Sequence, residues 1–515
     1  MRRRIALRHL CHILEDSASK YPENVALVFG ENLIQYNKLK EAINRLAHGF
    51  KKLRLGKGDR IAIMLPNIPH FTISYFALLQ IGVTVVPLSI HYNSLEIKHC
   101  LMDSGVRGIV FWEKFRSQVR QAVNEIKECE KLIVLGDRAE SGEYRLTYLM
   151  EISPPLDQIT QTENDDTAVI AYTAGTNEPI KGVELTHDNI LSNVDSCCEF
   201  FKFGPEDSVL GVLPFYHLFG QTLVMNFFLR VGAKVILMTN YKAASILKMI
   251  EKEKPTYFVG VPPVFQDMLT NEGDRCDIRS LKFCLSTGNG LKQETMEAFE
   301  EKFNVFILEG YGLTEASPMV SFNRVNTERK AGSIGLPLPG VEMKIVDKAG
   351  TEVKPGEVGE IIVQGPNVMK RYLNQPEKTN QVLKNRWLRT GDLALLHDDG
   401  YSFIVVQKKN VIVKSGFQIY PGNIEKLLCE HPKIEDAVVF GVPISDEEEQ
   451  QIHTYILLKK GEQVTPDEII QYGNEHMPAY MCPQIVHFVS SFPVGPTGRV
   501  MREKIKYFAI EDKNK

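Results

Sequence analysis

The sequence predicts an α/β protein: a large N-terminal domain of mixed and parallel sheets flanked by helices, a β-rich subdomain, and a small α+β C-terminal domain. Three observations predict this fold class. Short β-branched and apolar runs alternate with amphipathic segments over much of the chain. Beyond residue 330 the chain becomes rich in turn residues and short strand-like runs. Its 515 residues also exceed what one hydrophobic core supports, so at least two domains are expected.

The N-terminal alternation begins with a strand-like run at residues 60–65, which Pro66 and Asn67 close. Residues 69–81 have helical periodicity and lead into a second strand-like run at residues 82–87. Further strand-like runs follow at residues 108–111, 131–136, 233–238 and 257–261. Strands interleaved with helices in this way predict a largely parallel sheet with helices on its faces.

The C-terminal part of the sequence differs in its residue pattern. Residues 332–340 (GSIGLPLPG) are rich in turn formers, and strand-like runs follow at residues 341–346 and 359–363. Residues 411–515 indicate a small α+β module, in which strand-like runs at 437–443 and 453–458 alternate with helical stretches. Because a polar, basic stretch separates the two parts, we predict an N-terminal domain over residues 1–406, a hinge at 407–410 and a C-terminal domain over 411–515.

Composition excludes several classes of function. With 60 basic against 64 acidic residues, the net charge of −4 argues against a protein that binds nucleic acid through a basic surface. The basic N-terminus MRRR is not followed by the apolar core of a signal peptide, and no apolar run approaches the length of a membrane span. We therefore predict a cytoplasmic protein without a transmembrane segment. Peripheral contact with a membrane and a homodimer stay open.

The nine cysteines are scattered, and none belongs to a C-x-x-C pair. No histidine cluster has the spacing of metal ligands. Reduced, mostly buried thiols are the prediction.

The stretch YTAGTNEPIKGVELTH (residues 172–187) carries the clearest chemical signal. A buried-strand pattern (TAVIA, residues 167–171) precedes it, and residues 185–188 are typical of a capped helix start. Between them lies a predicted loop of small and hydroxyl residues that ends in Lys181 and Gly182. Such a loop can offer backbone N–H groups and hydroxyls to phosphate oxygens, with the lysine as a point charge. It is not a Walker loop, because Ile180 precedes Lys181 and Gly182 follows it.

Six further stretches follow in order: LPFYHLFG (213–220), STGNG (286–290), EGYGLTEASP (309–318), WLRTGD (387–392), SGFQIYPGNIE (415–425) and FPVGPTGRVMR (492–502). Together with the phosphate loop they resemble the signature motifs of the adenylate-forming, or AMP-binding, superfamily. The resemblance extends from about residue 21 to the end of the chain. Within that superfamily, the fatty acyl-CoA synthetases for medium and long chains are most similar.

The resemblance implies an ATP-dependent acyl-CoA synthetase, which joins a carboxylic acid to ATP and then passes the acyl group to coenzyme A. ATP, Mg²⁺ and coenzyme A are the implied cofactors. The implied partner is a small-molecule carboxylic acid. A fatty acid is favoured because the candidate pocket residues are apolar (Phe215, Phe219, residues 222–225 and Met319) and no acidic residue stands at 215–217 to hold an amino group.

The resemblance also implies site residues. The catalytic set is Lys181, His217, Thr314, Glu315 and Arg499. The set that binds nucleotide or coenzyme A is Thr173, Gly175, Thr176, Gly288, Tyr311, Gly312, Asp392, Gln407 and Gly416. Thr176 and Glu315 are the implied Mg²⁺ ligands. A carboxylate such as Asp392 suits a pair of ribose hydroxyl donors, and Mg²⁺ with a lysine suits the pairing of two anions.

Ordinary structural roles stay open for several of these residues. Glu315 could be a solvated residue at a helix start, and Tyr311 could pack without binding anything. His217 stands alone between apolar residues, where a histidine is usually part of the core.

The chain departs from the family pattern at several positions. Ala174, Asn177, Glu178 and Ile180 replace the family's Ser, Thr, Gly and Pro in the phosphate loop. Gln407 stands where the family has the arginine that contacts ribose, and Asn410 where it has the hinge aspartate. Arg499 stands where the family has its C-terminal catalytic lysine, and arginine keeps the charge on a bulkier, planar group. A tuned but active synthetase is the leading interpretation. An adenylation-impaired homologue that binds nucleotide or acyl-CoA, and a regulatory protein without catalysis, are the alternatives.

Overall fold

The computed structural model describes residues 8–173, 180–239, 242–270, 276–288, 290–325, 329–407, 410, 412–414, 417–443, 450–478, 481–494, 500–502 and 504–506. These residues divide into two compact units. The first is drawn from Met1–Gly175, Pro179–Met343 and Val363–Leu388, and the second from Lys344–Ile362 and Arg389–Lys515.

Strands and helices alternate along the chain. The strands are β1 Val25–Phe29, β2 Asn32–Gln35, β3 Arg60–Met64, β4 Thr84–Pro87, β5 Gly108–Trp112, β6 Lys131–Leu135, β7 Glu143–Arg145, β8 Thr167–Thr173, β9 Lys181–Thr186, β10 Ser208–Gly211, β11 Lys234–Leu237, β12 Tyr257–Gly260, β13 Phe283–Ser286, β14 Phe306–Gly312, β15 Met319–Phe322, β16 Leu336–Pro337, β17 Glu342–Val346, β18 Val358–Gln364, β19 Arg371–Tyr372, β20 Leu383–Lys384, β21 Trp387–Leu396, β22 Ser402–Gln407, β23 Ile412–Lys414, β24 Phe417–Ile419, β25 Ile434–Pro443, β26 Gln450–Leu458 and β27 Ile485–Val489. The α-helices are α1 His12–Lys20, α2 Tyr36–Lys52, α3 Pro69–Gln80, α4 Ser94–Ser104, α5 Arg116–Val123, α6 Leu146–Glu151, α7 His187–Phe201, α8 Phe227–Arg230, α9 Ala243–Glu253, α10 Pro262–Thr270, α11 Gln293–Phe303, α12 Pro376–Val382, α13 Pro421–Cys429 and α14 Pro466–His476. Short 3₁₀ turns lie at Glu113–Phe115 and Thr314–Ala316, and a π-helix at Phe219–Asn226.

The first unit contains an eight-stranded sheet in the order β19-β9-β8-β4-β3-β5-β6-β7. The strands from β8 to β7 in this order are parallel, whereas β9 and β19 are antiparallel to their neighbours. The predicted strands at 60–65, 82–87, 108–111 and 131–136 and the predicted helix at 69–81 are confirmed within a few residues of their predicted ends. Their Val, Ile and Leu side chains are buried, which explains why the hydrophobic pattern of the sequence predicted these elements.

A second sheet of nine strands in the same unit has the order β16-β15-β14-β13-β12-β10-β11-β1-β2. The strands from β14 to β1 are parallel, and β2, β15 and β16 pair antiparallel at the two ends. Ligands of open α/β sheets bind beyond the carboxyl ends of the parallel strands. A ligand site is therefore expected at the loops that follow β10, β12, β13 and β14.

The segment between β8 and α7 differs in part from its prediction. The capped helix start is confirmed, because Thr186 and Asn189 form a capping box at the first turn of α7. Residues 181–186 are, however, a strand (β9) that pairs with β8, and the predicted loop is shorter. The strand was hidden by its buried Glu184, a residue type that strands of a core seldom carry without a charged partner.

The second unit contains most of a sheet in which β17, β18, β21 and β22 are neighbours. Further along, β25 pairs antiparallel with β26 and β26 pairs parallel with β27, while β23 and β24 form a separate hairpin. Ile424 and Leu428 of α13 and Ile469 of α14 pack into one core with Ile452 and Ile456 of β26. The predicted α+β character of the C-terminal part is confirmed.

Cysteine burial follows the prediction. Six of the nine thiols are buried and three are partly exposed, and none is in a disulfide. Within the described part of the chain, no helix is both long and apolar enough to cross a membrane.

Candidate active site

Four adjacent parallel strands bring predicted site residues to one edge of the nine-stranded sheet. The order β14-β13-β12-β10 places their carboxyl ends side by side. His217 follows β10 and Gly288 follows β13. Tyr311 and Gly312 end β14, and Thr314 and Glu315 come directly after it. The structure therefore gathers these predicted residues at the edge where α/β sheets bind ligands.

The end of β14 is shaped by close packing against β15. Tyr311 pairs with Ser321 and is 9% exposed, so its ring is largely packed. A Cβ on Gly312 would lie 2.2 Å from the carbonyl oxygen of Pro318, which no side chain could tolerate. Glycine at 312 is therefore required by the turn that leads into the Thr314–Ala316 3₁₀ segment.

Glu315 is half-buried and held at two points. Its Oε1 accepts a hydrogen bond of 2.8 Å from the hydroxyl of Tyr372, and its carbonyl oxygen accepts one of 2.7 Å from the backbone of Met369. The ammonium nitrogen of Lys181 lies 5.2 Å from the centroid of the same Tyr372 ring. One phenol thus contacts both the predicted Mg²⁺ ligand and the predicted phosphate lysine.

Thr173 and Lys181 are cross-strand partners at the loop end of the β8–β9 hairpin. The hairpin therefore presents both residues at the base of the predicted phosphate loop. Gly175 and Thr176 lie outside the described residues, as do the altered positions Ala174, Asn177 and Glu178.

His217 lies in the turn before the π-helix. The residue is half-buried, but its Nε2 is sealed from solvent and has no hydrogen-bond partner among the described atoms. Burial, with a smaller contribution from His91, lowers the pKa of His217 to about 4, so the ring is neutral at physiological pH. A buried, neutral ring nitrogen without a partner can bond to a ligand.

The π-helix that follows, Phe219–Asn226, is itself unusual, since π-helical turns occur frequently at functional sites. A Cβ on Gly220 would approach the carbonyl oxygen of Pro214 to 2.3 Å, which explains the glycine. Gln221 Oε1 and Thr222 Oγ1 are buried and have no partner within the described structure. Buried polar atoms are normally satisfied, so this helix has hydrogen-bonding capacity for water or a ligand.

Gly288 has a φ of +93°, and a Cβ there would have no neighbour closer than 3.8 Å. Its glycine is explained by the backbone conformation and not by crowding. The hydroxyls of Ser286 and Thr287, which precede it, are buried and also lack a partner among the described atoms. Sequence reasoning missed these two hydroxyls, because serine and threonine at a strand end carry no specific signal.

In the second unit, Asp392 of β21 and Gln407 of β22 are cross-strand partners. Gly391 has a φ of +75°, and the backbone N–H of Asp392 donates to the hydroxyl of Thr390 at 3.1 Å. The two predicted ribose contacts are therefore adjacent in the ladder. Gly416 and Arg499 lie outside the described residues, as do residues 408 and 409 of the predicted hinge.

The family of AMP-binding enzymes matches residues 14–373, and the AMP-binding enzyme C-terminal domain matches residues 423–499. This chain belongs to the AMP-binding enzyme family. The predicted superfamily and fold class are confirmed.

Relatives of this AMP-binding enzyme include long-chain-fatty-acid–CoA ligases. One from Bacillus subtilis is 34% identical over 96% of this chain and 93% of its own length. One from Escherichia coli O157:H7 is 30% identical over 96% of this chain and 94% of its own. Among solved structures, ATP-bound MatB from Rhodopseudomonas palustris superposes with a TM-score of 0.90 at 25% identity, covering 98% of this chain and 99% of its own. The AMP complex of O-succinylbenzoate coenzyme A synthetase from Bacillus subtilis has a TM-score of 0.84 at 26% identity, covering 96% and 98%.

These names agree with the predicted reaction class, and the solved relatives hold the predicted nucleotide as ATP or AMP. The roles of single residues and the boundary at 407–410 are tested by none of these comparisons and stay predictions.

Sequence reasoning missed Tyr372 of the AMP-binding enzyme, together with the charged pair beside it. Arg371 donates to Glu184 through Nε at 2.8 Å, and Glu184 is only 2% exposed. Burial raises the pKa of Glu184, but the Arg371 guanidinium and the Thr167 hydroxyl outweigh it, so the net pKa is lowered. No local motif signals these contacts, because the partners are far apart in sequence.

Glu309 in β14 of the AMP-binding enzyme is a second buried carboxyl that was missed. It accepts hydrogen bonds from the backbone N–H groups of Leu291 and Gly332, and burial raises its pKa. The Glu309 side chain therefore connects the loops beside Tyr311 that contain Leu291 and Gly332, which is a structural role.

Glu315 of the AMP-binding enzyme is a suitable ligand for Mg²⁺ by the coordination chemistry of that ion. Mg²⁺ is usually bound through one or two carboxylates together with substrate phosphates and water. The described residues contain no group of three or more His, Cys, Asp or Glu side chains that could hold a metal ion. An anchored carboxylate such as Glu315 suits a magnesium ion that comes with the nucleotide.

Proposed function

We propose that this AMP-binding enzyme is an ATP-dependent acyl-CoA synthetase that activates a medium- or long-chain fatty acid. One observation carries the proposal: Lys181 of strand β9 and Glu315 of the 3₁₀ turn that follows β14 both contact the Tyr372 phenol, beside the motif loops. A fixed cation and a fixed carboxylate are what a magnesium–triphosphate complex requires. The names of the relatives from Bacillus and Escherichia support the same substrate class.

The reaction has two steps. In the first, a carboxylate oxygen of the fatty acid attacks the α-phosphorus of ATP, and the bond to the β-phosphate oxygen breaks as pyrophosphate leaves with its electron pair. In the second, the thiol of coenzyme A releases its proton to solvent and its sulfur attacks the acyl carbonyl carbon. The bond to the AMP oxygen then breaks, which gives acyl-CoA and AMP.

The first step brings two anions together, so its transition state needs positive charge and hydrogen-bond donors. Lys181 supplies the charge, and Thr314 donates to the α-phosphate. Glu315 and Thr176 would hold Mg²⁺, which screens the phosphate charge when bound. The remaining phosphate contacts come from Thr173, Gly175 and Thr176.

The nucleoside is bound by a different group of residues. Tyr311 lies against adenine, and Gly288 and Gly312 allow the backbone to approach it closely. Asp392 accepts from the ribose hydroxyls, and Gln407 is its neighbour in the same ladder. A carboxylate that faces two hydroxyl donors forms the stronger, charge-assisted type of hydrogen bond.

The acyl group lies beside His217 in a mostly apolar pocket. Phe215, Phe219 and Met319 are the apolar candidates, and Phe215 and Met319 are fully buried. The uncharged His217 ring suits a site for a carboxylic acid with a long apolar tail, because it adds no charge to an apolar wall.

The C-terminal domain, residues 411–515, is proposed to rotate about the hinge at 407–410 between the two steps. Arg499 would face the α-phosphate in the first step, and Gly416 would flank the pantetheine chain of coenzyme A in the second.

A cytoplasmic location, a homodimer and peripheral membrane contact also stay predictions. Cell fractionation and analytical ultracentrifugation measure them.

Pyrophosphate release tests the proposed function. The protein is incubated with Mg²⁺, ATP and coenzyme A and with fatty acids of six to eighteen carbons, and acyl-CoA is identified by mass spectrometry. Benzoate and phenylalanine serve as non-fatty controls. We expect turnover with fatty acids above all other acids. Binding of ATP without release of pyrophosphate by any acid would instead support the adenylation-impaired alternative.

A further inference from the structure

Tyr372 is a buried aromatic residue in contact with two charged side chains of the candidate site. It is 7% exposed, its hydroxyl donates to Glu315 Oε1 at 2.8 Å, and its ring centroid lies 5.2 Å from Lys181 Nζ. Lys181 begins strand β9 of the eight-stranded sheet, and Glu315 lies in the 3₁₀ turn that follows β14 of the nine-stranded sheet. A single side chain therefore relates the position of the carboxylate to the position of the lysine.

Tyr372 is held in this place by the short strand β19. Its neighbour Arg371 pairs with buried Glu184, and the backbone N–H of Leu373 donates to the carbonyl oxygen of Gly182 at 2.8 Å. The backbone N–H of Tyr372 donates to the hydroxyl of Thr379 at 3.0 Å. Contacts of Tyr372 and of its two neighbours in sequence thus fix the backbone that carries the phenol.

The spacing between β19 and β9 depends on Gly182. A Cβ at this position would lie 3.1 Å from Leu373 Cβ, tighter than most such contacts. Gly182 directly follows Lys181, so the close approach occurs beside the lysine. The two strands can therefore bring the phenol ring near the ammonium group.

A phenol suits these two neighbours chemically. The face of an aromatic ring attracts an ammonium group. The phenolic O–H can donate a hydrogen bond to a carboxylate. Hydrogen bonds to a metal-binding side chain orient it and raise its affinity for the metal.

We propose that Tyr372 is a positioning residue for the magnesium–nucleotide complex: its hydroxyl orients the Glu315 carboxylate and its ring places the Lys181 ammonium. The proposal rests on the proposed function, since it concerns the same site. Tyr372 acts through Glu315 and Lys181 and need not touch the reacting atoms.

Calorimetric titration of ATP at a series of Mg²⁺ concentrations tests the proposal without any acid substrate. Tyr372→Phe keeps the ring and removes the donor, and we expect it to need about tenfold more Mg²⁺ for the same gain in ATP affinity. Tyr36→Phe is the matched control, because the Tyr36 hydroxyl is also buried but donates to the carbonyl oxygen of Ala233 at 2.7 Å. The control should follow the wild-type curve.

Two further variants separate positioning from packing. Tyr372→His keeps an aromatic ring with an N–H donor and should recover part of the Mg²⁺ response, whereas Tyr372→Leu should also weaken ATP binding at saturating Mg²⁺. In a Glu315→Gln background, Tyr372→Phe should change the Mg²⁺ response less than twofold, because its partner charge is gone. Equal effects of Tyr372→Phe in both backgrounds would overturn the proposal.

The results distinguish this proposal from the proposed function. Turnover of fatty acids by the wild type, with an unchanged Mg²⁺ response in Tyr372→Phe, would overturn the role of Tyr372 and leave the function standing. A shifted Mg²⁺ response would support that role even if no acid is turned over. Absence of ATP binding by the wild type would overturn both.

Discussion

Two arginine–glutamate pairs hold strands beside predicted nucleotide residues, one pair in each unit. In the first unit, Arg371 of β19 donates to Glu184 of β9 at 2.8 Å. In the second, Arg389 of β21 donates to Glu360 of β18 at 2.7 Å. Both glutamates are buried, so in each pair the arginine holds its strand against a carboxylate that has little access to water.

The residues that the pairs position differ in their contacts. Tyr372, next to Arg371, contacts two charged side chains, Lys181 and Glu315. Asp392, three positions after Arg389, follows Gly391 in the left-handed region and is placed by the ladder with Gln407. In the first unit, two predicted site charges therefore contact one shared side chain, whereas in the second unit the backbone places one predicted site charge. Substitutions in the first region should be coupled, and those at Asp392 should act separately.

Lys181→Ala should have the largest effect. Loss of a preorganised charge from a transition state typically costs about 10²- to 10³-fold in rate, and we expect that fall in acyl-AMP formation. Single-turnover pyrophosphate release measures it. Lys252→Ala, which removes an exposed partner of Glu31, is the control. A fall smaller than about tenfold would show that Lys181 is not a principal phosphate ligand.

Asp392→Asn should raise the KM for ATP by about 10- to 100-fold, since hydrogen bonds to charged groups are worth about 1.5–3 kcal/mol. The value of kcat should change less. Because the carboxylate is expected to accept from ribose, the wild type should discriminate against 2′-deoxy-ATP and the variant should not. Equal discrimination by both proteins would place Asp392 away from the 2′-hydroxyl. Combining this variant with Tyr372→Phe should give additive effects.

Glu184→Gln should lower the free energy of unfolding by about 1–3 kcal/mol at pH 7, with Arg371 half-exposed and able to be rehydrated in part. The folded-state pKa of Glu184 is lowered, so the stability from its charge is present above the unfolded pKa of about 4.3 and lost as pH falls below it. Urea unfolding of wild type and variant at several pH values measures the difference. A difference that stays constant down to the acid limit would show that the ion pair contributes nothing.

Arg499→Lys should have the smallest effect, an increase of roughly threefold in acyl-AMP formation, because a compact ammonium suits a confined site better than a planar guanidinium. The conversion of supplied acyl-AMP by coenzyme A is the control and should not change. Slower adenylation by the variant would show that the site is adapted to arginine.

Elements with a strong hydrophobic pattern could be predicted from the sequence, such as α3 and β3. The strand β9 could not, because Glu184 is buried in it and only Arg371, from a distant segment, explains that burial. The candidate site residues within motifs could be named by type and position, and their roles stay predictions. Tyr372 was missed because its role depends on β19 pairing with the edge of β9, a contact that no local pattern encodes.

The buried cysteines allow the opening of each unit to be followed in unmodified protein. Cys284 is buried in the first unit and Cys482 in the second. Burial raises the pKa of Cys284, so a thiol reagent that needs the thiolate reacts with it only when its surroundings open. Alkylation followed by peptide mass spectrometry would therefore time the opening of both units in one sample, without an attached probe.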